Sequence, residues 1–303
     1  MEYPITQLSA YAESILESLT AGTVHSVYRR TINLTDGRQI LSLQTEHSPL
    51  SPISLISGLN ADEFGALSVK TGDEVCFHKD GLTIRNAGRN PRAAYRFTCK
   101  DFRVYDLKLS TPLNAPSRLT LTANIQKAVS GAETGGLAAL FHPRAGLPLL
   151  SGDADGQKPG DDGDLSFVLL AARNYLLRCN EFILARKYPE AASELIRLLG
   201  LGCGLTPSGD DFLCGVLAGF LFSGNTEHPF AKRLRDIVAD KLTDTIDISA
   251  AFLSCALKNQ FSLPVVRLYR LPPPEEILAS FGAVGHSSGI DTLCGLLWCL
   301  THI

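Results

Sequence analysis

The sequence holds no Cys-x-x-Cys pair, although eight cysteines (Cys76, Cys99, Cys179, Cys203, Cys214, Cys255, Cys294 and Cys299) are spread along its 303 residues. That spacing argues against a zinc site. With no secretory signal at the start, the thiols read as reduced and mostly buried in a cytoplasmic protein. Long apolar runs are missing too. The longest, "FLCGVLAGFLF" at 212 to 222, is broken by two glycines and falls short of the roughly 18 residues that suggest a membrane span. Charged residues make up only 19% of the chain and nearly balance, at −3 net. No broad basic field exists to hold nucleic acid, so any anion site must be local. Neither a membrane nor a nucleic acid is an expected partner.

What is present changes character along the chain. From about 23 to 110 the signals are those of strands and tight turns. "VHSVYRRTINL" and "QILSLQ" flank Asp36-Gly37, and "DEVCFH" and "LTIR" flank Asp80-Gly81; Asp-Gly between such runs marks a hairpin, because the turn needs positive φ. "AYRFTC" and "FRVYDLKL" continue the pattern. After "STPLNAP" the spacing becomes helical or continuously apolar, in segments 117–129, 165–187, 189–199, 208–222, 229–257, 274–283 and 288–300. The expected fold class is α+β: a mainly antiparallel β domain over residues 1–112, preceded by a short helix around 6 to 19, then a larger all-helical domain over 113–303. "SGDADGQKPGDDGD" at 151 to 164 lacks the offsets of an EF-hand and reads as a surface loop.

The helical part writes one phrase twice. In "GLTPSGDDFLCG" and "GHSSGIDTLCG", Ser208, Gly209, Asp211, Leu213, Cys214 and Gly215 recur in order as Ser288, Gly289, Asp291, Leu293, Cys294 and Gly295. Ser-x-x-Asp before an apolar run is a capping box, which accounts for Ser208 with Asp211 and Ser288 with Asp291. Capping leaves Gly209 and Gly289 unexplained, since glycine in a first turn costs up to about 1 kcal/mol against alanine. It also leaves Thr206, Pro207 and a second acid, Asp210. Glycine there would expose first-turn amides, so each copy reads as an uncovered helix N-terminus suited to a small anion. Gly215 and Gly219 in the first helix, with Gly295 and Cys299 in the second, put small residues on one face of each. If the helices pack through these faces with their starts aligned, the two N-termini share one pocket.

On this reading Asp211 and Asp291 are taken up by capping and Asp210 is left free. A free acid beside an anion pocket suits a substrate that has both an acidic end and N–H donors, with a Mg²⁺ bridging acid to phosphate as the alternative; otherwise no cofactor is expected. Asp210, Asp211, Asp291 and His286 are the candidate catalytic residues, and Thr206, Ser208, Gly209, Ser287, Ser288 and Gly289 the candidate substrate-binding ones. Further candidates are Arg85, Arg89, Arg92 and Arg96, which could close an anion site or simply sit on a solvated turn, and Asp247 and Ser249 in "DTIDISAAFL".

Together with "VYRRTINLTDG" and "LSLQTEHSPLSPISLI", the two repeated segments resemble the AllH-like family, from about residue 25 to the C-terminus. Its pattern falls on Gly204, Leu205, Thr206, Pro207, Ser208, Asp210 and Asp211, and on Gly285, His286, Ser288, Gly289, Asp291 and Leu293. The resemblance implies a subunit of oxamate carbamoyltransferase, which converts oxalurate and phosphate to oxamate and carbamoyl phosphate in allantoin degradation, with an FdrA-like AllF chain and an AllG-like chain as partners. It brings no catalytic residues with it. Three small, anionic, amide-bearing molecules suit helix N-termini, hydroxyls and one acid, and preorganised amides could stabilise a developing oxyanion. The alternatives are a stand-alone enzyme acting on another small carbamoyl, carboxyl or phosphorylated metabolite, and a non-catalytic ligand-sensing scaffold. Self-association stays open.

Overall fold

The computed structural model describes residues 2–86, 94–133, 135–141 and 167–303. The loop read at 151–164 lies outside the described residues, as do Arg89 and Arg92. Met1–Lys108 with Gln260–Leu263 form one unit, and Leu109–Asn259 with Pro264–Ile303 form another.

The first unit corrects the expectation of a mainly antiparallel domain: it is a closed barrel of eight strands. These are β1 (Glu2–Ser9), β2 (Ala21–Val27), β3 (Thr31–Thr35), β4 (Ile40–Gln44), β5 (Ser54–Ser57), β6 (Glu74–His78), β7 (Gly81–Arg85) and β8 (Ala94–Tyr105). Around the barrel they run β1-β5-β4-β3-β2-β6-β7-β8. The two Asp-Gly turns join antiparallel neighbours as expected, β3 to β4 and β6 to β7. "VHSVYRRTINL" is itself two strands, β2 and β3, folded on each other. Closure depends on pairings between strands distant in sequence, β1 with β5 and β8 and β2 with β6; two pairings in the barrel are parallel, β1 with β8 and the consecutive strands β4 and β5. A hairpin signal reports only a strand's next neighbour, so it cannot reveal the seam that closes a sheet.

The N-terminal helix is also shorter than expected. Residues 2–9 are strand, held between β5 and β8, and α1 (Ala10–Ser18) follows with Ser9 as its cap, the Ser9 Oγ accepting from the Ala12 amide at 2.8 Å. Ala12, Ile15 and Leu16 of α1 join the barrel core. That core is made of Ile5, Leu8, Leu34, Leu43, Leu82, Phe97 and their neighbours, so side chains fill an eight-stranded interior. A short helix, α2 (Ala61–Gly65), carries a complete capping box between Asn60 and Glu63.

The second unit contains α3 (Ala115–Ser130), a 3₁₀ turn at Gly136–Phe141, α4 (Phe167–Leu184), α5 (Tyr188–Leu195), α6 (Ser208–Ser223), α7 (Pro229–Asp240), α8 (Asp247–Leu257), α9 (Leu263–Arg267, entered from the first unit), α10 (Pro274–Gly282) and α11 (Ser288–His302). The single helical segment expected over 229–257 is two helices, α7 and α8, separated by the residues around Thr245. Helices α6 and α11 are the centre of this unit. From Ser208 to Phe222 and from Gly289 to Cys299 nearly every side chain is buried, which is how a helix apolar on all sides must sit. Among the described residues no helix is long and apolar enough to cross a membrane.

Phe97 of β8 is fully buried, and its ring lies 5.4 Å from that of Tyr3 across the parallel seam. Phe97→Ala should therefore lower the unfolding free energy by about 3–5 kcal/mol, measured by denaturant titration.

Candidate functional site

Helices α6 and α11 pack through the glycine faces of the repeated phrase, and they do so reciprocally. A Cβ on Gly215 would collide with the Thr292 carbonyl oxygen, and a Cβ on Gly295 with that of Phe212. Thr292 stands one residue after Asp291, and Phe212 one residue after Asp211, so each copy of the phrase plays both parts. Further along, a Cβ on Gly219 would lie 2.7 Å from Cys299 Sγ. The contacts advance in the same direction on both helices, which therefore run parallel with their starts side by side. The Thr206 and Ser288 hydroxyls are 2.7 Å apart.

The carboxylates also cross over. Ser288 and Thr206 lie beside Asp211, while Ser208 and Ser287 lie beside Asp291, so each acid meets the serine of the other copy. This overturns the capping-box reading. Helix α6 starts after Pro207 and α11 after Ser287, with no side-chain cap on either; Ser208 and Ser288 are the first helical residues. Asp291 is completely buried and Asp211 is 8% exposed. Asp291 Oδ1 accepts the Leu137 amide at 2.6 Å, and the Oδ2 atoms of both acids have no hydrogen-bond partner among the described residues.

The exposed-amide account of the glycines also fails. The Gly209 amide donates to the Leu201 carbonyl and that of Gly289 to the Val284 carbonyl, while the Asp210 and Asp211 amides both reach Pro207 and the Asp291 amide reaches Ser287. Gly209 and Gly289 are needed because a Cβ there would collide with the carbonyls of Leu198 and Phe281. What remains of the helix-start reading is the field. Two parallel helices place their positive ends together and so favour negative charge on the acids of their first turns.

Asp210 is not free. It is 1% exposed, its Oδ1 accepts the Gly200 amide at 2.7 Å, and its Oδ2 accepts the Thr245 hydroxyl at 2.5 Å. It tethers the loop before α6, whose Gly200, Gly202 and Gly204 adopt positive φ, to the segment leading into α8. The roles expected of the adjacent acids are thus exchanged: Asp210 is structural, and Asp211 keeps an unused oxygen.

His286 is exposed in the turn before α11. Asp247 opens α8, and Ser249 is buried in its first turn. In the barrel unit Arg96 pairs with Asp80 at 2.8 Å and Arg85 reaches Cys76. Burial pushes the Cys214 thiol well above its ordinary range, with Asp211 adding to it, so it is no nucleophile.

One segment at the site escaped the sequence reading. Gly136 has φ +57°, its absent Cβ leaves room for the Asp291 carboxylate, and it delivers the Leu137 amide. The visible signal was the Gly-Gly in "ETGGLAALF", at a point where helical spacing stops. Among the described residues no three His, Cys, Asp or Glu side chains gather as a metal site. The cluster offers two buried carboxyls with vacant acceptor positions and a ring of hydroxyls, a set suited to a small ligand with several N–H and C=O groups.

Two outcomes follow for stability. Gly215→Ala or Gly295→Ala should each cost about 1–3 kcal/mol or more, because a helix pair in backbone contact must separate. Asp210→Ala should cost about 1–3 kcal/mol by stranding the Gly200 amide. Thermal and denaturant unfolding check both.

The family model described as oxamate carbamoyltransferase subunit AllH matches residues 198–300, which contain both copies of the phrase, and that of the AllH family N-terminal domain matches residues 6–100, the barrel. No solved structure matches the chain. With its barrel and its paired helices each matched in place, the chain belongs to the AllH family, whose name is that of an oxamate carbamoyltransferase subunit.

Proposed function

We propose that this subunit binds the carbamoyl-bearing substrate of oxamate carbamoyltransferase at the start of α6 and α11, in the conversion of oxalurate and phosphate to oxamate and carbamoyl phosphate. One observation carries this reading: two buried carboxyls, Asp211 and Asp291, each retain an oxygen with no hydrogen-bond partner among the described residues, inside a ring formed by Thr206, Ser208, Ser287 and Ser288. Buried polar atoms are normally paired, so a vacant pair marks where a ligand completes the bonding. Oxalurate and oxamate can supply an amide N–H to a vacant carboxyl oxygen, and their carbonyls accept from O–H groups. Because Thr206 and Ser288 bond to each other, one of the two hydroxyl protons stays available for the ligand.

Carbamoyl transfer moves negative charge onto the carbamoyl oxygen, and fixed donors aimed at that atom lower the barrier. The first-turn amides of Gly209 and Gly289 are committed to backbone carbonyls. The donors in this reading are therefore side chains: the Thr206, Ser208 and Ser288 hydroxyls. No metal and no covalent nucleophile is needed. The remaining chemistry falls to the partner chains, for which FdrA-like AllF and AllG-like proteins are the proposed identities, and the assembly is proposed to work in allantoin degradation in the cytoplasm.

In the assembled enzyme Ser288→Ala and Asp291→Ala should lower kcat/KM at least tenfold (about 1.4 kcal/mol or more of transition-state stabilisation) while the assembly stays intact by size-exclusion chromatography. Unchanged turnover would make the site a scaffold feature. Full turnover by this chain alone would remove the subunit role.

A further inference from the structure

The two acids occupy equivalent places in the repeated phrase, but their surroundings differ. Asp291 accepts a backbone amide, that of Leu137, at 2.6 Å, and Gly136 brings that backbone against the carboxylate. A backbone N–H can only donate, so it favours an ionised oxygen. The groups beside Asp211 are the Ser288 and Thr206 hydroxyls, which can rotate to accept from a protonated carboxyl as readily as they donate to an ionised one. Two carboxyls in one dry site do not both ionise at the same cost; the first charge raises the cost of the second.

From this inequality, and resting on the carbamoyl reading above, we infer that Asp211 and Asp291 work as an acid and a carboxylate that together clasp one carbamoyl amide, the Asp211 O–H donating to its carbonyl oxygen and its N–H donating to Asp291. A primary carbamoyl group carries one acceptor and one donor side by side on a single edge. Two Oδ2 atoms without a hydrogen-bond partner among the described residues, one protonated and one not, present the matching donor and acceptor. A simple dicarboxylate such as oxalate lacks the N–H and leaves the Asp291 oxygen facing a like charge.

The titration of the two groups agrees. Burial pushes Asp291 up to about 6, against the opposing pull of the Leu137 amide and the Ser208 and Ser287 hydroxyls. Burial pushes Asp211 well above the ordinary carboxylate range, with Asp291 and Asp210 adding to it. The other charged or titratable groups on elements packed against the pair are Cys214 on α6, Cys294, Cys299 and His302 on α11, Arg118 and Lys127 on α3, Glu275 and Glu276 on α10, Asp247 and Cys255 on α8, Lys232, Arg233, Arg235, Asp236 and Asp240 on α7, and Arg197 in the turn Ile196–Leu198, while Gly136–Phe141 contributes none. None of these is among the influences acting on either acid.

Two measurements test this separately. In the first, the unliganded full-length chain is unfolded thermally between pH 4.5 and 7.5. Asp291 has a folded pKa above its unfolded value, so its ionisation costs stability as pH rises from about 4 through about 6. Asp291→Asn removes that cost, and its Tm should climb relative to wild type by about 5 °C or more over this range. Asp211→Asn should also climb relative to wild type and go on climbing to pH 7.5, because a carboxyl neutral in the fold and ionised in the unfolded chain costs stability at every pH between its two pKa values, whereas the Asp291→Asn difference levels off above about 6. A flat difference for either substitution, or an Asp211→Asn difference that levels off at or below the pH where that of Asp291→Asn does, overturns the assignment.

The second measurement uses oxamate as the probe with the assembled enzyme. In the Asp291→Asn chain the Leu137 amide holds the side-chain carbonyl oxygen and turns the new NH₂ towards the ligand N–H, donor against donor. The side chain introduced by Asp211→Asn, in contrast, still donates to the ligand carbonyl. Asp291→Asn should therefore raise the oxamate KM at least tenfold and Asp211→Asn less than threefold, with oxalate a poor competitor. Equal effects of the two substitutions overturn the clasp. If the pH measurement holds but oxamate is neither used nor bound by wild type, the carbamoyl reading fails while the acid–carboxylate pair stands.

Discussion

Backbone contact between α6 and α11 is the constraint on which the second unit depends. Helices with ordinary side chains at the contact stay about 8–10 Å apart, too far for a short Asp on one to meet the Ser of the other. Gly215 against Thr292 and Gly295 against Phe212 remove that spacing at two symmetric points. Once the backbones touch, the first turns interlock. Asp211 meets Ser288, Asp291 meets Ser208, and Thr206 bonds to Ser288. The duplication of the phrase is thus explained by pairing, because each copy supplies what the other needs.

That arrangement is poor for stability alone. Burying two acids next to each other, with two oxygens unpaired among the described residues, costs several kcal/mol that a leucine or a valine would not incur. Part of the cost is offset by the parallel helix ends and by the hydroxyls and the Leu137 amide. A chain that kept this cluster for packing would do better with apolar residues, and Asp210, whose carboxylate is fully bonded to Gly200 and Thr245, shows how the same fold treats an acid used structurally. Contrast between neighbouring acids in one turn is therefore the physical basis for placing the ligand at Asp211 and Asp291. The AllH family membership then supplies the chemistry of that ligand: small, anionic and rich in amide groups.

Much of this was legible in advance. Asp-Gly turns marked two hairpins correctly, and apolar runs located the central helices within a few residues. Thr206, Ser208, Asp211, Ser287, Ser288 and Asp291, six of the residues singled out, are gathered at one place. Their roles were misread for a consistent reason. Ser-x-x-Asp has a local solution, the capping box, and a local solution is all that spacing can propose. The fold rejected it by taking each serine into the helix as its first residue and sending both acids across to the other helix. The same limit hid the barrel's parallel seam, the strand before α1, and the Gly136–Leu137 backbone, none of which has its partner nearby in sequence.

The sequence by itself determined the hairpins at the Asp-Gly turns, the central helices and where glycine interrupts them, and that one phrase is used twice. Tertiary structure alone decided that the strands close into a ring, that Asp210 is a tether and Asp211 a member of a pair, and that Asp291 differs from Asp211 by one backbone amide from 154 residues earlier. The physical reason is that local propensity acts over a turn or a hairpin, whereas the charge state of a buried acid is set by whatever the fold brings within about 3–4 Å of it.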